Sequence, residues 1–371
     1  MTKDYLTMSV SASAVRHNIA LLRRRVGPGV KLCPVVKDDC YGHGMDVLYP
    51  VLAGLVDGFV VASPHEALAL RRRGWRGFIL CLLSAYLDDF EVQEELIRQG
   101  ITQTVMSATA LAAIRAAAER AGVPAEVHLK VDTGMGRLGV PVGQAPALIR
   151  AIDELADVRL TGIYTHFACA DEADKTETLR QLERFRAILP ADRKDLAIHA
   201  ANSAAAADLP EETAFDMIRP GIALYGYQPS GELRDPLPLR PCMELSARLI
   251  AVKHLPAGSR SGYGLIHRYD RDSRVGVVPV GYGDGYFRAF SDRAVVRVLG
   301  RDAPVCGRVS MDQITVDLTD IPEARVGDEV QVISPDPEAP NSVENLARLA
   351  GTIPYEITCR LGARVRRRLV D

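Results

Sequence analysis

Residues 57–82 read DGFVVASPHEALALRRRGWRGFILCL, and this stretch predicts a strand, a helix and a second strand. The apolar runs at its two ends are typical of buried strands. Between them, Ser63 and Pro64 mark the start of a helix, since serine caps a first turn and proline fits its first position. Glu66 follows inside that first turn, and Gly74 stands where a helix commonly ends. A strand, a helix and a strand in this order predict parallel pairing.

The same alternation recurs from about residue 30 to residue 225. Amphipathic helical segments lie at residues 64–73, 87–99, 108–120, 144–155 and 175–188. The candidate strands are residues 31–37, 57–61, 78–82, 102–106, 125–131, 158–165, 195–200 and 215–219. Eight strands that alternate with helices predict a closed (β/α)₈ TIM-like barrel over residues 11–235, and an open doubly wound sheet is the alternative.

After about residue 235 the pattern changes. Three prolines between residues 233 and 241 exclude a regular helix there. The following apolar runs, at residues 245–253, 275–280, 294–299, 314–318 and 329–333, are typical of strands, and only residues 343–349 resemble a helix. We therefore expect an α/β chain with a mostly β C-terminal domain at residues 236–371. Residues 1–10 alternate in polarity and predict an N-terminal strand that pairs with this β domain.

Composition excludes several classes of protein. The chain has 371 residues, 47% hydrophobic and 25% charged, as in an ordinary globular protein of about two domains. A formal net charge of −2 gives no reason to expect a nucleic acid partner. The longest apolar run, about residues 77–83, is too short for a membrane span, and the N-terminus lacks the pattern of a signal peptide. Seven cysteines without a close pair indicate reduced thiols in the cytoplasm and no metal site.

Reactive side chains follow five of the candidate barrel strands, where the loops of such a barrel build an active face. The first strand ends at Lys37, and desolvation there would favour an amine nucleophile or Schiff base, although a surface lysine is the alternative. A single histidine at a strand end is usually structural. The other strand ends supply Arg137, His166, His199 with Asn202 and Ser203, and Arg219 with Gly221 and Ile222. Together these groups predict a cationic site for an anionic cofactor.

The β domain adds three glycine-rich motifs that place polar groups in loops. They are SGYG at residues 261–264, GYGDG at 281–285 and GRVSMDQ at 307–313. Taken alone, each motif is equally typical of a hairpin turn, because glycine and aspartate form turns in proteins of every function.

Seven motifs in chain order resemble the bacterial alanine racemases, which are fold-type-III enzymes dependent on pyridoxal 5′-phosphate. They are Lys37 followed by YGHG at 41–44, KVDTGMGRLG at 130–139, THFA at 165–168, RPGIALYG at 219–226, GYGDG at 281–285, GRVSMDQ at 307–313 and IPYEI at 353–357. The resemblance covers nearly the whole chain. It implies a barrel followed by a β domain, and a homodimer in which the β domain of one chain completes the active site of the other.

The resemblance also implies a two-base reaction that interconverts L- and D-alanine, a peptidoglycan precursor. Lys37 would hold the cofactor as an internal aldimine and act as the base on one face of the substrate Cα. The partner's Tyr263 would be the base on the opposite face, since racemisation must remove the proton from one side and return it to the other. Because a tyrosine with a pKa near 10 is a poor base, its pKa must be lowered, through His166 and the Arg219 side of the site.

The remaining roles follow residue by residue from the matched motifs. The cofactor-binding positions are Lys37, Tyr41, His166, Asn202, Ser203, Arg219, Gly221, Ile222 and Tyr355. Arg137 and the backbone of Met311 match the contacts to the substrate carboxylate. The supporting positions are Lys130, which is carbamylated in many members, His199, which would orient Arg219, and Tyr282 and Asp312, which match the entrance and the inner pocket.

Arg219 would face the pyridine nitrogen of the cofactor, and this distinguishes the reaction. Because arginine keeps its proton, the ring nitrogen stays unprotonated and side reactions such as transamination are suppressed. The same arginine disfavours a decarboxylase on the related fold. A non-catalytic cofactor-binding protein would lack the β domain.

The sequence departs from the usual family pattern near the lysine and at two other positions. Asp38, Asp39 and Cys40 follow Lys37, where small residues and one asparagine are usual, and two carboxylates there could raise the pKa of the lysine. Cys169 and Gly262 replace a small or hydroxyl residue and a serine. These changes leave a racemase of serine or of another amino acid open as the alternative.

Overall fold

The computed structural model describes residues 5–83, 89–192 and 195–371, and the first domain in it is a curled parallel sheet surrounded by helices. Strand β1 precedes this domain in the chain and belongs to another sheet. The first ten strands are β1 Leu6–Ser11, β2 Lys31–Leu32, β3 Gly58–Val61, β4 Phe78–Cys81, β5 Thr102–Val105, β6 Ala125–Asp132, β7 Val140–Pro141, β8 Val158–Tyr164, β9 Ala197–His199 and β10 Met217–Ile218. Parallel pairing runs in the order β3-β4-β5-β6-β8-β9, and β10 pairs with β2.

Backbone hydrogen bonds close this sheet into a barrel. The amide of Asp216 donates to Ile198 O at 3.0 Å and joins β9 to β10. The amide of Val60 donates to Pro34 O at 2.9 Å and joins β3 to the chain after β2. The predicted TIM-like barrel is therefore confirmed, and the open sheet is excluded. Strand β2 is shorter than the predicted residues 31–37, because Pro34 has no amide to donate to a neighbouring strand. Beyond it, Val35 N still donates to Pro220 O at 2.8 Å and Val36 N to Val60 O at 2.9 Å.

Capping residues mark the ends of the helices between these strands. Ser63 and Glu66 form a capping box at the start of Pro64–Arg72, and Gly74 follows this helix with a φ of +92°. The predicted helix at 87–99 is observed as Phe90–Arg98, and residues 87 and 88 lie outside the described residues. The other helices of this domain are Ala12–Val26, Met45–Leu52, Ala108–Ala121, Ala145–Asp153, Thr176–Arg186, Ser203–Asp208 and Pro210–Thr213.

The second domain is built mostly from strands. They are β11 Met243–Arg248, β12 Ala251–Leu255, β13 Arg260–Ser261, β14 His267–Arg268, β15 Ser273–Val278, β16 Val295–Val298, β17 Arg301–Pro304, β18 Ile314–Asp317, β19 Glu329–Ile333 and β20 Arg366–Val370. A six-stranded sheet has the order β17-β16-β19-β11-β1-β20, and a three-stranded sheet has the order β12-β15-β18. Two helices, Val343–Ala350 and Pro354–Cys359, complete the domain, and the second was not predicted. Across the described residues, no helix of either domain is long and apolar enough to cross a membrane.

The N-terminal strand lies inside the sheet of the second domain. Strand β1 pairs antiparallel with β11 and parallel with β20. Its residues Leu6, Met8 and Val10 are buried, and the residues between them are half-exposed, so the polarity alternation matches its two faces. Residues 1–4 of the predicted strand lie outside the described residues.

A buried ion pair fixes the loop after β8. Lys175 Nζ lies 2.7 Å from Asp208 Oδ2, and both side chains are almost fully buried. The same ammonium donates to Ala170 O at 2.8 Å and to Glu172 O at 2.6 Å. The pair thereby ties this loop to the end of helix Ser203–Asp208.

We expect Asp208→Ala to lower the free energy of unfolding by about 3–5 kcal/mol, because it leaves the Lys175 ammonium buried without its counter-charge. Glu323→Ala is the control, since the Arg301–Glu323 pair at 3.3 Å is half-exposed on both sides and should change stability by at most about 1 kcal/mol. Urea unfolding of both variants measures the difference. Equal losses for the two variants would contradict this account of the buried pair.

Candidate active site

A cavity of about 550 Å³ opens at the C-terminal ends of the barrel strands. Residues that follow several different strands meet there, as expected for a parallel barrel. Ten of the predicted site residues line it: Lys37, Tyr41, Lys130, Arg137, His166, Asn202, Ser203, Arg219, Gly221 and Tyr355. Ile222 is buried next to Gly221, and His199 is buried behind Arg219.

Lys37 begins a left-handed turn, Lys37–Tyr41, instead of ending a strand. Asp38, Asp39 and Cys40 have φ values of 51°, 53° and 58°, with ψ near 50°. Tyr41 continues the turn with a φ of 53°. A left-handed helical conformation costs roughly 1–2 kcal/mol per residue, although aspartate tolerates it better than most. The surrounding structure must therefore hold this turn in place.

The three unusual residues after Lys37 have different surroundings. Asp39 Oδ1 accepts a hydrogen bond from Met45 N at 2.7 Å and so caps helix Met45–Leu52. Cys40 is fully buried, with its Sγ 3.7 Å from Met45 Sδ. Only Asp38 lines the cavity. The Asp39 carboxylate is therefore used to cap a helix, and the Asp38 carboxylate is the one that can influence the charge of the cavity.

The hydroxyls of Tyr41 and Ser203 lie close together beside Gly221 in one part of the cavity. Ser203 Oγ accepts from Gly221 N at 2.9 Å and from Ala223 N at 3.3 Å, so its own hydroxyl proton is left to donate elsewhere. A Cβ on Gly221 would collide with the Tyr41 hydroxyl, so the close approach requires glycine. The Tyr355 ring lies 6.0 Å from the Tyr41 ring. Such a set suits a phosphate group.

Asn202 has a local structural role as well as a place in the cavity wall. Its Oδ1 accepts from Ala205 N at 3.0 Å and caps the start of helix Ser203–Asp208. This cap fixes the position of the Ser203 hydroxyl at the head of the helix.

Arg219 is buried at the cavity floor and is held by three acceptors. It donates to Thr165 O at 2.9 Å, to Ala200 O at 3.1 Å and to His199 Nδ1 at 2.7 Å. Because a guanidinium only donates, His199 Nδ1 must accept, and His199 therefore carries its proton on Nε2. His199 Nε2 therefore donates to His128 Nδ1, which lies 2.8 Å away.

The two histidines behind Arg219 are neutral. Burial, with the charge of Arg219, lowers the pKa of His128 to about 3 and the pKa of His199 well below its usual value. Burial lowers the pKa of Arg219 itself to about 10, which still leaves it a cation at pH 7. The positive charge is therefore localised on Arg219, at the cavity wall.

Tyr164 is a site residue that sequence reasoning missed. Its ring stacks on His199 with a centroid distance of 4.7 Å, and it lies 5.2 Å from the Arg219 guanidinium carbon and 5.8 Å from Lys130 Nζ. Burial raises the pKa of its hydroxyl to about 12, so it is a neutral aromatic surface for the two cations. The sequence offered one signal for Tyr164: it is an aromatic residue at the end of a predicted strand, two positions before His166.

Four cations surround His166. Burial, followed by the charges of Arg219, Lys130, Arg137 and Lys37, lowers the pKa of His166 to about 3. The cavity therefore combines a neutral imidazole with a strongly positive potential, which favours an anionic ligand.

Lys130 is also affected by this environment. Burial, with the charges of Arg137 and Arg219, lowers its pKa from 10.5 to about 8. A fraction of its amine is therefore neutral and nucleophilic near neutral pH.

Besides the buried Ile222 and His199, four predicted site residues do not line this cavity: Tyr263, Met311, Tyr282 and Asp312. Tyr263 is 71% exposed, Met311 55% and Tyr282 44%. All four lie on the second domain. Tyr282 N donates to Ser310 O at 3.1 Å and Gly283 N donates to Met311 O at 2.8 Å, while Gly262, next to Tyr263, packs against the backbone of Arg308 in the same segment 307–313. We call this exposed set the β-domain patch.

Comparisons with known proteins agree with this architecture. The family model for the alanine racemase N-terminal domain matches residues 10–229, and the model for the C-terminal domain matches residues 242–369. The alanine racemase of Syntrophobacter fumaroxidans is 42% identical over 96% of this chain and 95% of its own length, and that of Desulfovibrio desulfuricans is 40% identical over 98% and 97%. The crystal structure of alanine racemase from Streptomyces lavendulae superposes with a TM-score of 0.93 at 37% identity, over 100% of this chain and 98% of that one.

Proposed function

This chain belongs to the alanine racemase family of isomerases, and we propose that it interconverts L- and D-alanine by a two-base reaction with pyridoxal 5′-phosphate in the barrel cavity. The observation that carries the proposal is the division of the predicted residues into two groups. Ten of them line one cationic cavity, and four others, Tyr263, Met311, Tyr282 and Asp312, form the exposed β-domain patch.

The cavity fits the cofactor in size and chemistry. Lys37 supplies the amine that binds it covalently. The donors around Tyr41, Ser203 and Ile222 N, with Tyr355, suit its phosphate. When bound, pyridoxal phosphate withdraws electrons from an amino acid and so makes the Cα proton acidic. Arg219 would serve as the hydrogen-bond donor to the ring nitrogen, and because it keeps its own proton it would favour proton transfer over transamination.

The hydrogen bonds behind Arg219 support this role. Its guanidinium is fixed by two carbonyls and by His199, and His199 is fixed by His128. A cation held by three hydrogen bonds, one of them to a histidine that is itself fixed, keeps one orientation toward the cavity. Among the described residues, no carboxylate is a hydrogen-bond partner of Arg219.

The β-domain patch supports a shared active site. Tyr263 can act as a base only if its hydroxyl reaches the substrate. Within its own chain, Tyr263 lies outside the cavity. In a two-fold homodimer, the patch of one chain covers the cavity of the other, and each cavity receives the partner's Tyr263 opposite its own Lys37. Arg137 and the backbone of the partner's Met311 then bind the substrate carboxylate, while Tyr282 and Asp312 border the entrance and the inner pocket.

Lys130 becomes a carbamate that orients Arg137. Its neutral amine can attack carbon dioxide and release one proton to solvent as the N–C bond forms, and the carbamate anion would pair with the neighbouring arginine. With a pKa of about 8, the neutral fraction rises from roughly one tenth at pH 7 to roughly nine tenths at pH 9.

We expect the ¹³C NMR signal of a carbamate to grow from pH 7 to pH 9 when the protein is kept in ¹³C-bicarbonate. Lys130→Met should lose this signal, and Lys253→Ala, which changes an exposed lysine of the β domain, should keep it. A signal that survives in Lys130→Met would assign the carbamate to another amine.

The test of the function is chiral chromatography in deuterated buffer. The protein, supplied with pyridoxal phosphate, is incubated separately with L-alanine, L-serine, L-lysine and L-arginine. We expect D-alanine to form fastest and to carry deuterium at Cα. Faster turnover of another amino acid would identify that amino acid as the substrate. Asp38 would then be the first residue to test for its effect on specificity, since it lines the cavity. No exchange at Cα with the cofactor bound would contradict a racemase.

A further inference from the structure

We propose that Glu66 is a positioning residue for Lys37, because its carboxylate holds the start of the left-handed turn that presents the lysine amine. The inference rests on the proposed role of Lys37. Glu66 lies on helix Pro64–Arg72, between β3 and β4, and is 28 positions away from Asp38 in the chain.

One carboxylate caps two elements at once. Glu66 Oε2 accepts from Ala62 N at 2.8 Å and from Ser63 N at 2.9 Å, which completes the capping box of its own helix. Glu66 Oε1 accepts from Asp38 N at 2.8 Å, the amide directly after Lys37. The capping box needs only Oε2. The other oxygen, Oε1, joins the helix to the left-handed turn at the cavity.

The turn needs this contact because its internal hydrogen bonds do not use the Asp38 amide. Within the turn, Cys40 N donates to Val36 O at 3.1 Å, Gly42 N to Asp38 O at 2.8 Å and Gly44 N to Asp39 O at 2.8 Å. The first amides of a helix have no internal acceptor, and the same holds for a left-handed one. Four successive non-glycine residues with positive φ store strain that external contacts must offset.

The far end of the turn is held separately. Arg367 Nε donates to Gly42 O at 2.8 Å, and the same guanidinium donates to Leu361 O at 2.8 Å and to Val365 O at 3.0 Å. Asp39 Oδ1 accepts from Met45 N. These contacts do not involve Glu66, so its loss releases the Lys37 end of the turn and leaves the Gly42 end fixed.

The experiment compares Glu66→Ala and Glu66→Gln with Ser63→Ala. Glu66→Ala and Ser63→Ala both damage the capping box, in which Ser63 Oγ accepts from Glu66 N at 3.4 Å, whereas glutamine can still complete such a box. Only the Glu66 variants affect the bond to Asp38, and glutamine keeps the size of the side chain while replacing one acceptor oxygen with a donor. Hydrogen–deuterium exchange of a peptide covering residues 36–44 is measured in the protein without added cofactor. The affinity for pyridoxal phosphate and the kcat for L-alanine are measured alongside it.

We expect faster exchange at 36–44 in both Glu66 variants and unchanged exchange there in Ser63→Ala. The kcat should fall by about 10-fold or more in Glu66→Ala, because a reacting group displaced by about 1 Å costs up to about 100-fold. Its affinity for pyridoxal phosphate should also fall, and its thermal midpoint should drop further than that of Ser63→Ala, because it loses the bond to Asp38 as well as the capping box.

Two results would overturn the proposal. One is exchange at 36–44 that is the same in the Glu66 variants and in Ser63→Ala. The other is a kcat of Glu66→Ala within two-fold of the Ser63→Ala value. If Glu66→Ala does not fold, Glu66→Gln is judged by the same two comparisons. Failure of the unmodified protein to bind pyridoxal phosphate would instead contradict the proposed function, and the exchange result would still decide whether Glu66 holds the turn.

Discussion

Replacing Lys37 with alanine is expected to lower alanine racemisation by about 10⁴-fold or more, because one change removes both the covalent attachment of the cofactor and one of the two bases. The side chain is half-exposed at the cavity, so its loss leaves the barrel core intact. The rate is measured by chiral chromatography. The attachment is measured by intact mass after borohydride reduction, which traps the cofactor on the lysine that holds it.

The matched control for this variant is Lys253→Ala, in which an exposed lysine of β12 is lost and the adduct should remain. Among the described residues, Lys130 is the other lysine that lines the cavity. A cofactor adduct of unchanged yield in Lys37→Ala would contradict the assignment and make Lys130 the first alternative attachment site.

Tyr263→Phe is expected to lower racemisation by about 10³-fold, within the range that a positioned acid–base group contributes. The loss in kcat/KM must be equal in both directions, because the two enantiomers have the same free energy. Exchange of the Cα proton with solvent separates the two bases instead. Lys37 is intact in this variant, so the enantiomer that presents its Cα proton to Lys37 should still exchange it, and the other enantiomer should not.

Proton NMR in deuterated buffer measures this exchange from each enantiomer in turn. Tyr49→Phe is the control, since it removes a tyrosine hydroxyl from helix Met45–Leu52 and should exchange both enantiomers at the normal rate. Exchange that is lost equally from both enantiomers of Tyr263→Phe, or kept in both, would contradict a second base at this position.

The barrel could be predicted from the sequence because its signals are local and repeated. In residues 57–82, apolar runs flank a helix with its own cap and stop, and the observed helix Pro64–Arg72 begins at the predicted proline. The N-terminal strand was predicted from its alternating polarity, and the observed Leu6, Met8 and Val10 are all buried. Such patterns depend on neighbours a few positions away.

Features that depend on distant contacts could not be predicted. The left-handed turn at Lys37 contains no glycine before Gly42, and it is held by Glu66 and Arg367 from other parts of the chain. The helix Pro354–Cys359, which carries Tyr355, has six residues and is too short to show a helical period. Residues 245–253 resemble one strand, but the chain turns at Ile250 and joins a second sheet.

The site was predicted in the same uneven way. Motifs at the ends of barrel strands indicated nine of the ten predicted residues that line the cavity, since parallel strands bring their ends to one face. Tyr355 was indicated only by the match of residues 353–357 to the family, because it lies on a helix of the second domain. Tyr164 lines the cavity and His128 acts through His199, and neither belongs to a motif that we identified. Glu66 was recognised only as part of a helix start, which gives no sign of its bond to Asp38. The domain boundaries near residue 235 and the catalytic roles stay predictions.

The central claim is that each active site combines Lys37 of one chain with the partner's Tyr263, and mixing two inactive variants tests it most directly. Lys37→Ala and Tyr263→Phe are unfolded together, refolded together and assayed against each variant refolded alone. A shared site predicts recovery to about a quarter of the normal activity, because half of the dimers are mixed and each has one intact site of two. A mixture that stays as inactive as the separate variants, although tagged chains show that mixed dimers form, would contradict the claim.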